Sequence, residues 1–154
     1  MNETRQNNFL LSFGKLPNVT YYTHTTTIPT MTVGEANVPS PVLDYPIPGE
    51  KITFEPFSYE FNVDENYVNY LEIYDWMMEM ANPDYRDDIP DDKDMMSDAT
   101  LTILNNQNNP IINVHFKDVW PTSLGDVQLT TQASEIITCT VTLTYSNFVL
   151  ENLR

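Results

Sequence analysis

The chain has 154 residues and carries 22 acidic against 7 basic side chains, a formal charge of −15 that argues against any surface built to grip phosphates. A chain of this length is most simply one domain, burying roughly two thirds of the surface its unfolded form would expose. One cysteine, Cys139, excludes an internal disulfide framework, and no run of about eighteen apolar residues offers a membrane span.

In chain order, residues 1 to 8 are polar and read as an arm, with no basic start and apolar stretch of the kind a signal peptide needs. Phe9 to Phe13 and Val19 to Ile28 read as strands, rich in aromatic and β-branched residues, with Pro29 closing the second. Residues 30 to 50 hold Pro39, Pro41, Pro46 and Pro48, too many for a central strand but suited to a loop or a ragged edge ribbon. Pro48-Gly49 has the residue types of a type II turn leading into a strand at Lys51.

Ile52 and Phe54 alternate in one phase and Phe57, Tyr59, Phe61 and Val63 in the other, which predicts a bulge or bend at Glu55-Pro56. Ser58, Glu60 and Asn62 then take the wet face of the second half. A helix is expected from about Glu65 to Met80, capped by Asp64 or Asn66, with Tyr67, Tyr70, Leu71, Tyr74 and Met78 as its core stripe. Ile73, Trp76, Met77 and Met80 widen that stripe beyond what one sheet needs, so a second apolar neighbour is expected there. Residues 83 to 98 form an acidic loop rich in aspartate. Ala99, Leu101 and Ile103 pair in pattern with Ile112, Val114 and Phe116 across an Asn-rich turn, a hairpin.

Another hairpin follows. A turn-rich cassette, Trp120-Pro121-Thr122-Ser123-Leu124-Gly125-Asp126, precedes a strictly alternating run from Ile137 to Tyr145. Ile137, Cys139, Val141, Leu143 and Tyr145 share a core face, while Thr138, Thr140, Thr142 and Thr144 form an uncharged ladder of hydroxyls on the other. Trp120 is read as a cap on the sheet end and Pro121 as the start of a rigid turn; Trp120 could instead be an exposed anchor for a partner.

Chemistry finds little purchase in these residues. The acidic loop lacks the glycine and terminal Glu of a calcium loop, and no phosphate loop, dinucleotide fingerprint or nucleophile elbow occurs. His24 and His115 each sit on a polar strand face without a ligand-spaced neighbour, and Cys139 reads as a small buried hydrophobe. No catalytic residue, metal or cofactor is expected, and the chain does not read as an enzyme.

Four segments resemble one family. The run Trp120-Pro121-Thr122-x-x-Gly125-Asp126-x-Gln128-Leu129 before a C-terminal alternating strand, the early strand Tyr21 to Pro29, the strand-to-helix run Phe57 to Glu65, and Ile73-Tyr74-Asp75-Trp76-Met77 occur in the order seen in the tail tube proteins of T4-like contractile-tailed bacteriophages. The resemblance spans about Phe9 to Leu150 and departs in the longer acidic loop and the tail after Tyr145.

The resemblance implies a mainly β fold, a single tail-tube-like domain over 1–154: an antiparallel sandwich or half-open barrel with one packed helix, six copies closing into a ring with a continuous inner barrel. Stacked rings would form the tail tube, a virion conduit for DNA ejection assembled in the bacterial cytoplasm, with tail sheath and baseplate or neck proteins as partners. DNA would pass without specific binding. A baseplate initiator or a tail completion ring of the same fold is the alternative, and a monomeric β-sandwich decoration module the alternative of another class. On this reading Ser58, Glu60, Asn62, Thr138, Thr140, Thr142 and Thr144 face the lumen, and Asn8, Pro39, Pro41, Pro46, Trp76 and Trp120 contact neighbouring subunits or rings.

Overall fold

The computed structural model describes residues 8–16, 23–81 and 95–153. Most of the N-terminal arm, the start of the second expected strand and most of the acidic loop lie outside these residues. In chain order the elements are β1 (Phe9–Phe13), β2 (Thr23–Thr26), β3 (Met31–Val38), β4 (Tyr45–Phe54), β5 (Phe57–Asn62), α1 (Val68–Ala81), β6 (Ser97–Leu104), β7 (Pro110–Leu124), β8 (Thr138–Thr144) and β9 (Asn147–Asn152).

One strand organises the sheets. The first half of β7 lies between β6 and β9, with β1 beyond β6, whereas its second half pairs with β8, followed by β5 and β2. All these pairings are antiparallel. The strand turns the corner at Lys117-Asp118, where the register against β6 slips by one residue and Asp118 takes a φ of 55°, a left-handed conformation that aspartate tolerates better than most residues. Ser146 secures the bend from the link between β8 and β9: its N–H donates to Lys117 O at 2.9 Å and its hydroxyl to Asp118 Oδ2 at 3.1 Å. The two arms of the sheet therefore face each other as a sandwich.

The alternation read from the sequence fills the space between them. Phe57, Tyr59, Phe61, Cys139, Val141 and Leu143 from one arm meet Leu11, Leu101, Val114 and Phe116 from the other, all nearly inaccessible. Phe57 stacks on Phe116 with centroids 4.3 Å apart, and Phe13 meets Tyr59 at 5.3 Å. The hairpin between β6 and β7 closes through Asn105, whose side-chain oxygen accepts from Gln107 N and Asn109 N, while Asn108 takes a φ of 63°.

Two turn expectations are corrected. Trp120 to Leu124 belong to β7 rather than to a turn: Pro121 is buried opposite Leu143, tolerated inside the sheet because the register slips beside it, and the connection to β8 begins only at Gly125. Pro48-Gly49 is no type II turn. It lies within β4 at a slip in register, and no described glycine has a positive φ. The Pro-rich segment takes the ribbon form, with β3 and β4 pairing only with each other.

The helix starts later and faces the other way. Tyr67 has a φ of 57°, which delays the first turn to Val68, and Asn69, Ile73 and Trp76 point inward rather than the expected Tyr67, Leu71, Tyr74 and Met78. Two hydrogen-bonding demands select that face. The wholly buried Asn69 donates to Asn62 O at 2.9 Å and accepts from Asp64 N, tying helix to strand, and the Trp76 indole N–H donates to Met95 O at 2.6 Å.

Candidate functional site

Strand β5 sets Ser58, Glu60 and Asn62 directly opposite Thr142, Thr140 and Thr138 of β8, because their side chains alternate away from the core in both strands. Six of the seven residues expected on the lumen side thus form one contiguous face. Thr144 extends it in the same alternation, opposite Trp120 of β7. The flanking strands supply members that the sequence reading missed: Thr25 lies opposite Glu60, and Ser123 opposite Thr142. Ser123 was hidden because its segment reads as a turn. Thr25 stood in an all-polar stretch of β2, where alternation carries no contrast.

This face is wet but scarcely charged. Thr25, Ser123, Thr138 and Thr140 are exposed and the others half-buried, with Glu60 the one ionisable side chain among the paired residues named. Hydroxyls at its margin bond to strand carbonyls, Thr122 Oγ1 to Thr142 O at 3.1 Å and Thr26 Oγ1 to Ser58 O at 3.4 Å. At the Asn62 end, residues 125–137 arch over an open basin of about 750 Å³ with Thr138 and Thr140 in its lining. Gly125 begins the arch by donating to Thr140 O at 2.7 Å.

The expected contact residues scatter. Asn8 is tied to the turn between β6 and β7, donating through Nδ2 to Asn105 O at 2.9 Å. Pro39, Pro41 and Pro46 are exposed on the ribbon, and Trp120 is half-buried against the core edge. Trp76 is not available to a neighbour. It is 4% exposed, because the core of its own chain encloses it and Lys15 lies over its ring.

Among the described residues the ribbon carries a concentration of exposed apolar side chains. Met31, Val33, Tyr45, Ile47 and Ile52 are each more than 40% exposed, and Val42 at its tip is 93% exposed. A two-stranded ribbon with no core of its own is marginal in water, so its base must be held. Phe54 packs edge-on against Phe148 at 5.1 Å, Glu55 N donates to Thr30 O, and the Tyr145 hydroxyl donates to Glu55 O at 2.7 Å. Burial together with the nearby Glu55 pushes the Tyr145 hydroxyl up to about 12, so it remains a donor throughout the neutral range.

Titratable chemistry is otherwise sparse. Burial, then the proximity of Cys139 and Glu72, raises the Tyr59 hydroxyl far beyond its ordinary value; burial likewise raises the Cys139 thiol, opposed by its hydrogen bond to Gly125. A thiol shifted in that direction is a poor nucleophile. On the far arm His115 bonds to Glu151 at 2.7 Å, a pair the sequence reading missed because 36 residues separate the partners. Among the described residues no group of three His, Cys, Asp or Glu side chains is placed to hold a metal, and no helix is long and apolar enough to cross a membrane.

The profile of the phage tail tube protein family matches residues 2–151. The chain belongs to that family. Phage tail tube proteins are structural components of the virion tail and not enzymes. The tail tube terminator protein of Enterobacteria phage T4 is 24% identical over 158 residues, covering 83% of this chain and 82% of that one. Among solved structures, a chain of the anti-feeding prophage baseplate superposes with a TM-score of 0.75 at 12% identity, covering 100% of this tail tube family member and 99% of the other chain. A chain of the sheath/tube terminator of the PVC extracellular contractile injection system gives 0.70 at 14% identity, covering 98% of both. At such identities the structural likeness establishes the fold alone.

Proposed function

We propose that this phage tail tube protein forms a hexameric ring that completes the tail tube, with the threonine-rich face of β8 and β5 turned to the bore. The ring reading rests above all on that face: seven residues predicted as a lining form one smooth polar surface opposite the core, with a single carboxylate among them. The exposed apolar ribbon supports it further, since so much uncovered hydrocarbon on a small protein calls for a neighbour. A terminal ring is preferred to a repeating one because the T4 relative named above is a tube terminator. The repeating tube subunit is the second reading, favoured by a TM-score of 0.70 to a chain of the PVC sheath-tube complex at 13% identity.

On this reading DNA meets hydroxyls, one acid per subunit and no described cation on the named lining, so it slides without adhering. Sheath and neck or baseplate proteins are the expected partners. Negative-stain electron microscopy of the purified chain at high concentration tests the assembly. Isolated rings or short stacks support the terminal ring, long hollow fibres the repeating subunit, and a permanent monomer overturns both in favour of a decoration module. Thr140→Lys with Thr142→Lys tests the lining separately: rings should still form while DNA delivery from particles falls, and normal delivery would count against that face lining the bore.

A further inference from the structure

Strand β9 belongs to the tail after Tyr145 where the chain departs from its family resemblance, and it is lightly held. Among the described residues it pairs with β7 alone, four of its six residues are exposed, and Phe148 is what it sends into the aromatic cluster, 5.8 Å from Phe116. On the outer face a line of polar side chains fastens it across three strands. Glu151 lies opposite Asn113 of β7 and reaches the neighbouring His115, Nε2 to Oε2, at 2.7 Å. A carboxylate only accepts, so Nε2 carries the hydrogen, and in the neutral ring Nδ1 accepts from the Thr100 hydroxyl of β6 at 3.4 Å. Thr102 donates to Asn113 Oδ1 at 2.9 Å, which leaves the Asn113 amide nitrogen to donate to Glu151.

We propose that His115 is a proton-operated latch on β9: protonation turns its hydrogen bond to Glu151 into an ion pair that holds the strand, and loss of the proton loosens it. The other charged groups on this face are Asp98 of β6 and Lys117 of β7, one of each sign, while β1 offers Leu10 and Ser12 and β9 offers Asn147 and Val149. Asp118, at the corner, is taken up by Ser146. The latch is engaged below the range in which imidazoles titrate and weakens as pH rises through it. Its acid limit is set by Glu151, whose carboxyl is held below 4.5 by His115 and then Asn113, so that its charge is lost only as pH falls through that lowered value. A loosened β9 uncovers the edge of β7 from Ile112 to Lys117. The proposal does not depend on the chain closing into a ring.

The test is amide hydrogen exchange of the full chain at low salt, corrected for the intrinsic pH dependence of exchange. The two side chains are 39% and 54% exposed, so the effect is modest: protection of the Asn147–Asn152 amides, relative to those of β8, should be about two- to fivefold higher near pH 5.5 than near pH 7.5. His115→Gln, which keeps an N–H for Glu151 but takes up no proton, should abolish that difference, and Glu151→Gln should do the same. His24→Gln removes the chain's other histidine, on β2 in the opposite arm, and should leave the difference intact. Raising the salt to about 1 M should shrink it in the unsubstituted chain, as screening demands. Absence of the difference in the unsubstituted chain, its survival in His115→Gln or Glu151→Gln, or its loss in His24→Gln would overturn the proposal.

Discussion

The β5–β8 pair and the β3–β4 ribbon are both antiparallel and both carry β-branched and aromatic residues, yet they end in opposite environments. In β5 and β8 every second side chain is buried between two sheet arms, and the others form a polar face. In β3 and β4 no side chain is fully buried, and apolar residues stand in solvent. Strand formation needs only extended backbone and a ladder partner; what the strand is for follows from where its apolar face goes. The first pair is held by its own chain. The second leaves its apolar side chains uncovered by its own chain.

Paired substitutions separate the two regions, beginning with the largest effect. Phe57→Ala should lower stability by about 3–5 kcal/mol, since it removes a buried ring stacked on Phe116, whereas Ile47→Ser should stay within about 0.5 kcal/mol and instead impair assembly. Urea unfolding and sedimentation distinguish them. Equal loss of stability in both would erase the contrast.

A subtler pair uses glycine. A Cβ at Gly125 would lie 2.7 Å from Thr140 O, and one at Gly49 would lie 2.7 Å from Gly34 O, so both alanine variants force backbones apart. Gly125→Ala should cost about 1–3 kcal/mol in global unfolding because it disturbs β8, while Gly49→Ala should raise hydrogen exchange within the ribbon alone. Global destabilisation of similar size by Gly49→Ala would mean that the ribbon folds as one unit with the core.

The smallest effect concerns the far arm. Hydrogen bonds from His115 first, and then Asn113, hold the Glu151 carboxyl below its ordinary value of 4.5. A depressed folded-state value stabilises the fold above that ordinary value, and the contribution disappears as pH falls through the depressed one. Glu151→Gln should therefore flatten the acid limb of the stability profile below about pH 4.5 slightly, and leave ribbon exchange unchanged, as urea titrations from pH 7 to 3 can check.

The alternating faces of β5, β6 and β8, the β6–β7 hairpin and the wet face were legible because alternation is a local property: a residue's parity already states which side it takes, whereas β9 and the pairing of β5 with β8 carry no local signal. Trp120 to Leu124 escaped this logic, since a Trp-Pro-Thr run followed by glycine reads as a turn until the slip beside Pro121 admits proline to the strand. His115 with Glu151 was invisible for want of any local signal linking residues so far apart.

What the sequence alone determined is therefore the set of faces: the hydrocarbon side of β5, β6, β7 and β8, the hydroxyl ladder from Thr138 to Thr144, and the phase change at Glu55-Pro56. Only the tertiary structure decided that β7 bends to serve both sheet arms, and that α1 turns Asn69 and Trp76 inward while Leu71 and Tyr74 face solvent. The reason is geometric. A helix with apolar residues on two sides has no single preferred orientation of its own, so the choice falls to partners distant in sequence, here the carbonyls of Asn62 and Met95 that Asn69 and Trp76 reach only once the sheet is in place.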